Sequence, residues 1–388
     1  MLLVGYFEGL DSERGIAWRC ADSLALRSFL GLTLSEIPAD HSTVSRTRRL
    51  IDLETHPEIF GFVLKLLAER GLVSGKTIGI DATPLEANAA MKSIVRRDDG
   101  STYGDYLTTL AQESGVETPT SEDLARIDRN RSKKGSNDDW KNPHDPDAQI
   151  TKMKDGSTHL AHEAEHAVDM ETGAVLAVTI QPGATGDTTS VLATLAAVTE
   201  NIVVLLKDPA VADKISESAL DELVTKKGYH SNDMINTLAS IGVRGYLSEP
   251  KRGRRRWRGD IATRDAVYAN RRRVKGDRGK ALTRRRGEYL ERPFAHCLES
   301  GAMRRVRLRG CANIAKRYLV HVAACNLGLL MRTLFGKGTP KGAAGRSGAV
   351  AAMAAAGTRT ATAARTLLTQ LRHRFTPSFR PAPNLVAA

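Results

Sequence analysis

Two acids in this 388-residue chain stand where chemistry could use them. Asp81 closes the run Lys76-Thr77-Ile78-Gly79-Ile80, and an acid at the end of a short apolar strand points outward toward a ligand cleft. The competing reading is a turn cap ahead of Thr83-Pro84. Glu291 lies on a predicted helix with Glu288 one turn earlier on the same face, and either acid could instead pair with Arg284, Arg285 or Arg292. Arginine comes in clusters: Arg254-Arg255-Arg256-Trp257-Arg258, Arg271-Arg272-Arg273 and Arg284-Arg285-Arg286. Such clusters suit a polyanion, because each phosphate neutralised by Arg releases condensed counterions. A solvated surface is the plain alternative. Trp257 could stack on an unpaired base or lie in a DNA groove, or it could anchor its loop on the core.

The net charge of +13 is concentrated in one place. Residues 251–310 hold 21 Lys and Arg against 6 Asp and Glu, so the rest of the chain is close to neutral. Charge packed this densely repels itself and points to nucleic acid as its partner. Composition is that of an ordinary globular protein, with 41% hydrophobic and 26% charged residues, and this excludes disorder throughout. No stretch approaches the roughly 18 to 20 uninterrupted apolar residues that span a bilayer, and the first residues lack the pattern of a signal peptide. The expected location is the cytoplasm, at the nucleoid, with no membrane partner. Cys20, Cys297, Cys311 and Cys325 are widely spaced, which favours reduced thiols over disulfides or a zinc ribbon. His230 and His296 stand at metal-ligand spacing with none of them.

The elements that must position these residues read as α/β. Residues 1–73 form a helical N-terminal region for DNA binding or dimerisation, with helical spacing over Arg14–Leu32 and His56–Arg70. Between them Pro38 stops one element and Asp40 or Ser42 caps the next, in a stretch that suits a DNA-contacting helix and a packing helix about equally. The first strand ends at Asp81. A polar segment at about 91–155 reads as an inserted loop, followed by a hairpin of 159–168 and 174–180 with Gly173 in its turn. Asp187 caps a helix to about Thr199, and 201–206 reads as a strand. Leu223–Thr225 and Arg244–Leu247 read as strands with a Ser231-capped helix between them. Helix returns from Arg284 to about Leu298, then from Arg304 to Phe335, and residues 336–388 read as a low-complexity tail.

Four segments together resemble the insertion-sequence transposases of the Asp-Asp-Glu class. They are Pro38-Ala39-Asp40-His41-Ser42-Thr43-Val44-Ser45-Arg46, Ile78-Gly79-Ile80-Asp81-Ala82-Thr83 followed by Asn88, Lys227-Gly228-Tyr229-His230-Ser231, and Gly287-Glu288-Tyr289-Leu290-Glu291-Arg292-Pro293-Phe294-Ala295-His296. Asp145-Pro146-Asp147-Ala148 through Lys154-Asp155-Gly156 and Leu308-Arg309-Gly310 extend the resemblance, which covers about residues 15–335. It implies a ribonuclease H-like catalytic domain over 74–335, a mixed sheet flanked by helices with the polar insertion after the first strand. It also implies Mg²⁺ or Mn²⁺ held by Asp81 and Glu291, double-stranded DNA as partner at transposon ends and target, and a homo-oligomer. Carboxylates suit such hard ions, and two of them about 3.5 to 4 Å apart can activate water and take charge from a reacting phosphate.

One position departs from the family pattern. Where the resemblance calls for the middle Asp, this chain has Lys226. Lysine donates only and cannot ligate Mg²⁺. Asp221 and Glu222 lie at the other end of the short strand, about 10 Å or more away at 3.3 Å per residue. Two functions follow as expectations: metal-dependent strand cleavage and transfer, silenced in this copy by Lys226, or a catalytically silent DNA-binding protein descended from a transposase.

Overall fold

A computed structural model describes residues 1–339 and 342, apart from 132–134, 252, 254, 256 and 258. The chain divides into a unit of residues 1–330 and a second from Met331 onward. Most of the segment read as a tail lies outside the described residues.

The first unit opens with five helices, α1 (Leu2–Glu8), α2 (Glu13–Asp22), α3 (Leu24–Phe29), α4 (His41–Leu50) and α5 (Thr55–Glu69). The helix expected over Arg14–Leu32 is broken at Ser23, whose hydroxyl accepts from Leu26 N and starts α3. Asp40 caps α4 by accepting from Thr43 N at 2.7 Å. The buried side of α4 is Val44 and Arg48, with the Arg48 guanidinium donating to Glu13 and Asn313.

Among the described residues eight strands follow, with further helices: β1 (Thr77–Glu86), β2 (Val95–Arg96), β3 (Trp140–Lys141), β4 (Gln149–Lys152), β5 (Thr158–Asp169), β6 (Val175–Pro182), β7 (Glu222–Thr225) and β8 (Arg244–Leu247). The main sheet is mixed. β5 lies antiparallel on one side of β1, while β7 and then β8 lie parallel on the other. β4 and β6 share the outer edge of β5. Asp81 does not end its strand, as expected, but sits in its middle. β7 pairs only as far as Ile80, so the rest of β1 has one open edge there and tolerates Pro84.

Both faces of the sheet are covered. Directly opposed antiparallel residues share a face, so His166, paired with Asp81, and Glu165, paired with Ala82, point to opposite sides. On the Glu165 side lies α8 (Asp187–Leu206), whose Ser190 hydroxyl donates to Glu165. The strand expected at 201–206 is the end of this helix, because Leu195, Val198, Ile202 and Leu205 continue one buried stripe. On the His166 side, Phe294 of α11 (Asp277–Ala295) stacks on the imidazole, and Tyr318 of α12 (Cys311–Phe335) meets its Nε2 at 3.0 Å. Asn326 brackets the amide and carbonyl of Val175. α8 and α12 are each long and apolar enough to cross a membrane by length and composition. Both bury much of their apolar surface within the fold.

The segment read as an inserted loop is folded. It holds α6 (Tyr103–Glu113), α7 (Ser121–Asn130), β2 and β3 around a small core of Ile94, Trp140 and Ala148, with Tyr103 and Tyr106 edge-on to Trp140. Its polar composition reflects two capping boxes, at Thr102/Asp105 and Thr120/Asp123, more than a lack of structure. The basic stretch also folds, into α10 (Ile261–Lys275) and α11, which bury Val267, Leu282, Leu290 and Phe294 beneath their arginines. α9 (Asn232–Ser240) is capped by Ser231 as expected.

Candidate functional site

The register of β1 with β7 ends at Ile80 and Thr225, so the next residues, Asp81 and Lys226, are neighbours. Lys226 Nζ donates to Asp81 Oδ1 at 2.8 Å and lies 3.7 Å from Asp187 Oδ2 at the start of α8. From the other side of the cleft, Arg286 of α11 donates to Asp81 Oδ2 at 3.1 Å. Its place follows from helical spacing, since Leu282, Arg286 and Leu290 recur every four residues on the side of α11 turned to the sheet. Leu290 lies over Gly79, two residues before Asp81 on the same face of β1.

More carboxylates surround this knot of charge. Burial, then Asp187 and Glu165, push the Glu163 carboxyl up to about 8, against the pull of Lys226. Glu165 is raised by burial although Tyr229 donates to its Oε1 at 2.7 Å and Ser190 at 2.7 Å. Asp187 is raised by burial, with Lys226 opposing. Burial works against the Lys226 ammonium, yet attraction to Asp81 and its hydrogen bond, with Asp187 and Glu163 behind, raise its pKa. Lys226 is therefore a charged residue at neutral pH, held as the internal counter-ion of an acid cluster. Gly228 belongs to the same construction. A Cβ there would overlap the Asp187 carboxylate, so only glycine leaves that group its place.

These residues do not fit a divalent ion. Both oxygens of Asp81 are engaged by cations of the chain, and Asp187 is turned to the same ammonium group. Among the described residues, no group of three or more His, Cys, Asp or Glu is arranged to hold a metal.

The structure brings Asp81 to this site and leaves Glu291 exposed on α11. Glu291 follows Arg286 by five residues, about 140° around the helix and 7.5 Å along it. No described hydrogen bond or ion pair joins it to Asp81. Glu288 pairs with Arg292. Asp187, Glu163 and Arg286 complete the site, although in sequence they read as a helix cap, a strand residue and a phosphate contact.

The arginine clusters divide in the same way. Arg254, Arg256 and Arg258 lie outside the described residues. Arg255 and Arg271 pair with Glu249, Arg273 donates to Gly245 O, and Arg285 donates to Glu171 O and Tyr289. Arg272 and Arg284 are exposed and free of ion pairs among the described residues. Trp257 packs on the core and sits beneath the Arg255 guanidinium, 4.8 Å from ring centroid to Cζ, so it anchors its loop. Tyr229 is fully buried.

The Asp145-Pro146-Asp147 segment has a structural task. Asp145 accepts from Gly310 N at 3.1 Å and meets His162 Nε2 at 3.0 Å, while Asp147 accepts from Cys311 N at 2.9 Å. Two carboxylates from the insertion thus satisfy the N-terminus of α12 across more than 160 residues. Burial, then Asp147 and Asp145, push the Cys311 thiol up to about 12, so it stays protonated.

A family model described as a transposase domain (DUF772) matches residues 1–50, which makes the chain transposase-related at its N-terminus. No curated protein and no solved structure matches the chain.

Proposed function

We propose that the chain descends from a DNA transposase of the Asp-Asp-Glu class with a ribonuclease H-like catalytic domain, and that it binds double-stranded DNA without cutting it. The transposase domain at residues 1–50 supports the descent. A central β1 flanked by the antiparallel β5–β6 hairpin and by parallel β7 and β8, with helices on both faces, supports the fold reading. The observation that carries the loss of cleavage is the 2.8 Å contact of Lys226 Nζ with Asp81 Oδ1, reinforced by Arg286 on the other oxygen.

Phosphodiester cleavage in such a site depends on hard cations that activate water and take up charge on the phosphate. Here an ammonium and a guanidinium already neutralise Asp81, and neither ionises a water molecule at neutral pH. Mg²⁺ or Mn²⁺ therefore enters this reading only through a variant that lacks the lysine. DNA contact rests on Arg272 and Arg284 and on the net positive charge of the 251–310 segment, since the other described cluster arginines are engaged within the fold.

Fluorescence anisotropy with a labelled duplex at a series of salt concentrations tests the proposal. The affinity is expected to fall steeply with salt, and Arg272→Ala or Arg284→Ala to reduce the log–log slope by about one each. Duplex binding that is insensitive to salt, or strand cleavage by the unaltered chain, overturns it.

A further inference from the structure

A cavity of about 100 Å³ opens where the N-terminal helices meet the segment that leads into α12. Met303, Val306, Leu308 and Ile314 supply its apolar wall, and all but Leu308 are buried. Asp11 and Glu13 reach it from the connection of α1 to α2 and from the start of α2, and Arg317 from near the start of α12. Arg307 pairs with Asp11, and these two, 50% and 36% exposed at their side chains, mark the mouth.

The charges around this cavity do not balance. Asp11 Oδ2 accepts from Arg307 Nε at 2.9 Å and Nη2 at 2.8 Å, and Glu13 Oε1 accepts from Arg48 Nε at 2.6 Å. Each carboxylate thus has its own cation. Arg317 donates instead to two carbonyls, from Nη1 to Leu2 O at 3.0 Å and from Nη2 to Leu10 O at 3.4 Å. Among the described residues it forms no ion pair, although only 3% of it is exposed and water does little to screen its charge. Burial pulls its pKa down to about 10, against the attraction of Glu13, which leaves the guanidinium charged at neutral pH. Its position is fixed by α1. A Cβ on Gly5 would stand 2.3 Å from Arg317 Nη2, so glycine lets that helix close over the guanidinium.

We propose that this cavity binds a short monocarboxylate, with its carboxylate on Arg317 and its apolar body against Met303, Val306, Leu308 and Ile314. Three guanidiniums against two carboxylates leave one positive charge for such a ligand to neutralise. The fork of a guanidinium matches a carboxylate in shape as well as charge, which favours this ligand over a halide. Size limits its length. A cavity of about 150 Å³ holds benzene, so this one takes about four or five heavy atoms, those of acetate or propionate. The cavity shares no residue with the Lys226 site or with Arg272 and Arg284, so this binding is independent of the DNA reading.

Isothermal titration calorimetry of the full chain with sodium propionate at constant ionic strength tests it. One propionate per chain should bind with a dissociation constant of about 1 mM, within what so few atoms can give. Propionamide, which keeps the shape without the charge, and chloride should bind at least about tenfold more weakly. Asp11→Asn removes an anion from the mouth and should tighten propionate by roughly threefold to tenfold. Arg317→Met should abolish binding, and Leu308→Phe, which fills the cavity from a partly exposed position, should abolish it with an unchanged circular dichroism spectrum. The second variant decides the matter if the first does not fold. No saturation up to about 50 mM propionate, equal affinity for propionamide, or unchanged binding in Leu308→Phe overturns the inference. Weaker propionate binding in Asp11→Asn overturns it as well, because the ligand would then depend on the acid and not on Arg317.

Discussion

Replacing Lys226 should both loosen the fold and open the acid cluster to cations. Its ammonium lies 2.8 Å from Asp81 Oδ1 and 3.7 Å from Asp187 Oδ2. At an effective dielectric constant of about 20 these distances give gross attractions of roughly 6 and 4 kcal/mol. The side chain is only about two-thirds buried, and desolvation and solvent screening offset most of that gain, leaving about 2 kcal/mol. Lys226→Met should therefore lower urea stability at neutral pH by about 2 kcal/mol, with Arg286 still holding one oxygen of Asp81. Lys226→Asp should lose more in plain buffer and recover part of it with Mn²⁺. At about 10 mM ion and a dissociation constant of about 1 mM the recovery is about 1.4 kcal/mol, or about 2 °C in Tm by differential scanning fluorimetry. The unaltered chain should show no such rise. An equal Mn²⁺-dependent rise in both proteins, or a Lys226→Met variant as stable as its parent, would refute the reasoning.

Other consequences are sharp enough to measure. Gly228→Ala puts a methyl group into the Asp187 carboxylate and should cost about 1 to 3 kcal/mol, most of it recovered in the double variant with Asp187→Gly. Additive costs in that urea-denaturation cycle would show that the two residues do not meet. Glu163 keeps its proton in the fold up to about pH 8, whereas in the unfolded chain it loses it near 4.5. Its contribution is complete below 4.5 and disappears as pH rises toward 8, so Glu163→Gln should match the parent at pH 4.5 and exceed it by about 2 kcal/mol at pH 8.5, allowing for partial exposure. Equal pH profiles for the two proteins would contradict the burial of that carboxyl. Asp147→Ala should lose about 1 kcal/mol as a lost helix-terminal acceptor. Asp145→Ala should lose about 2 to 3 kcal/mol, because it also strands the buried His162 nitrogen, and the reverse order in chemical denaturation would argue against the clasp.

How much of this was legible in the residues depended on range. Caps and turns were: Asp40, Ser231 and Gly173 stand at the boundaries their chemistry demands. Pattern and resemblance mark the strand carrying Asp81 and the position of Lys226, and pairing brings the two together. Asp187 looked like an ordinary helix start because its partner, the space left by Gly228, lies forty residues away. Arg286 reads as one of a phosphate-binding cluster, since adjacent positions on a helix look alike in sequence but face different ways. Asp145 and Asp147 looked like part of a polar loop because the helix they serve begins at Cys311. Local polarity concealed the insertion's core for a similar reason: three aromatics, Tyr103, Tyr106 and Trp140, close it across nearly forty residues.

Strand cleavage on duplex DNA bearing the element's own ends, with Mg²⁺ or Mn²⁺ and with the unaltered protein beside Lys226→Asp, tests the central claim most directly. Cleavage by Lys226→Asp alone, abolished when Asp81→Ala is added, is the predicted result. Cleavage by the unaltered chain, lost in Asp81→Ala and in Glu291→Ala, would contradict the account, for it would mean that Lys226 does not close the site.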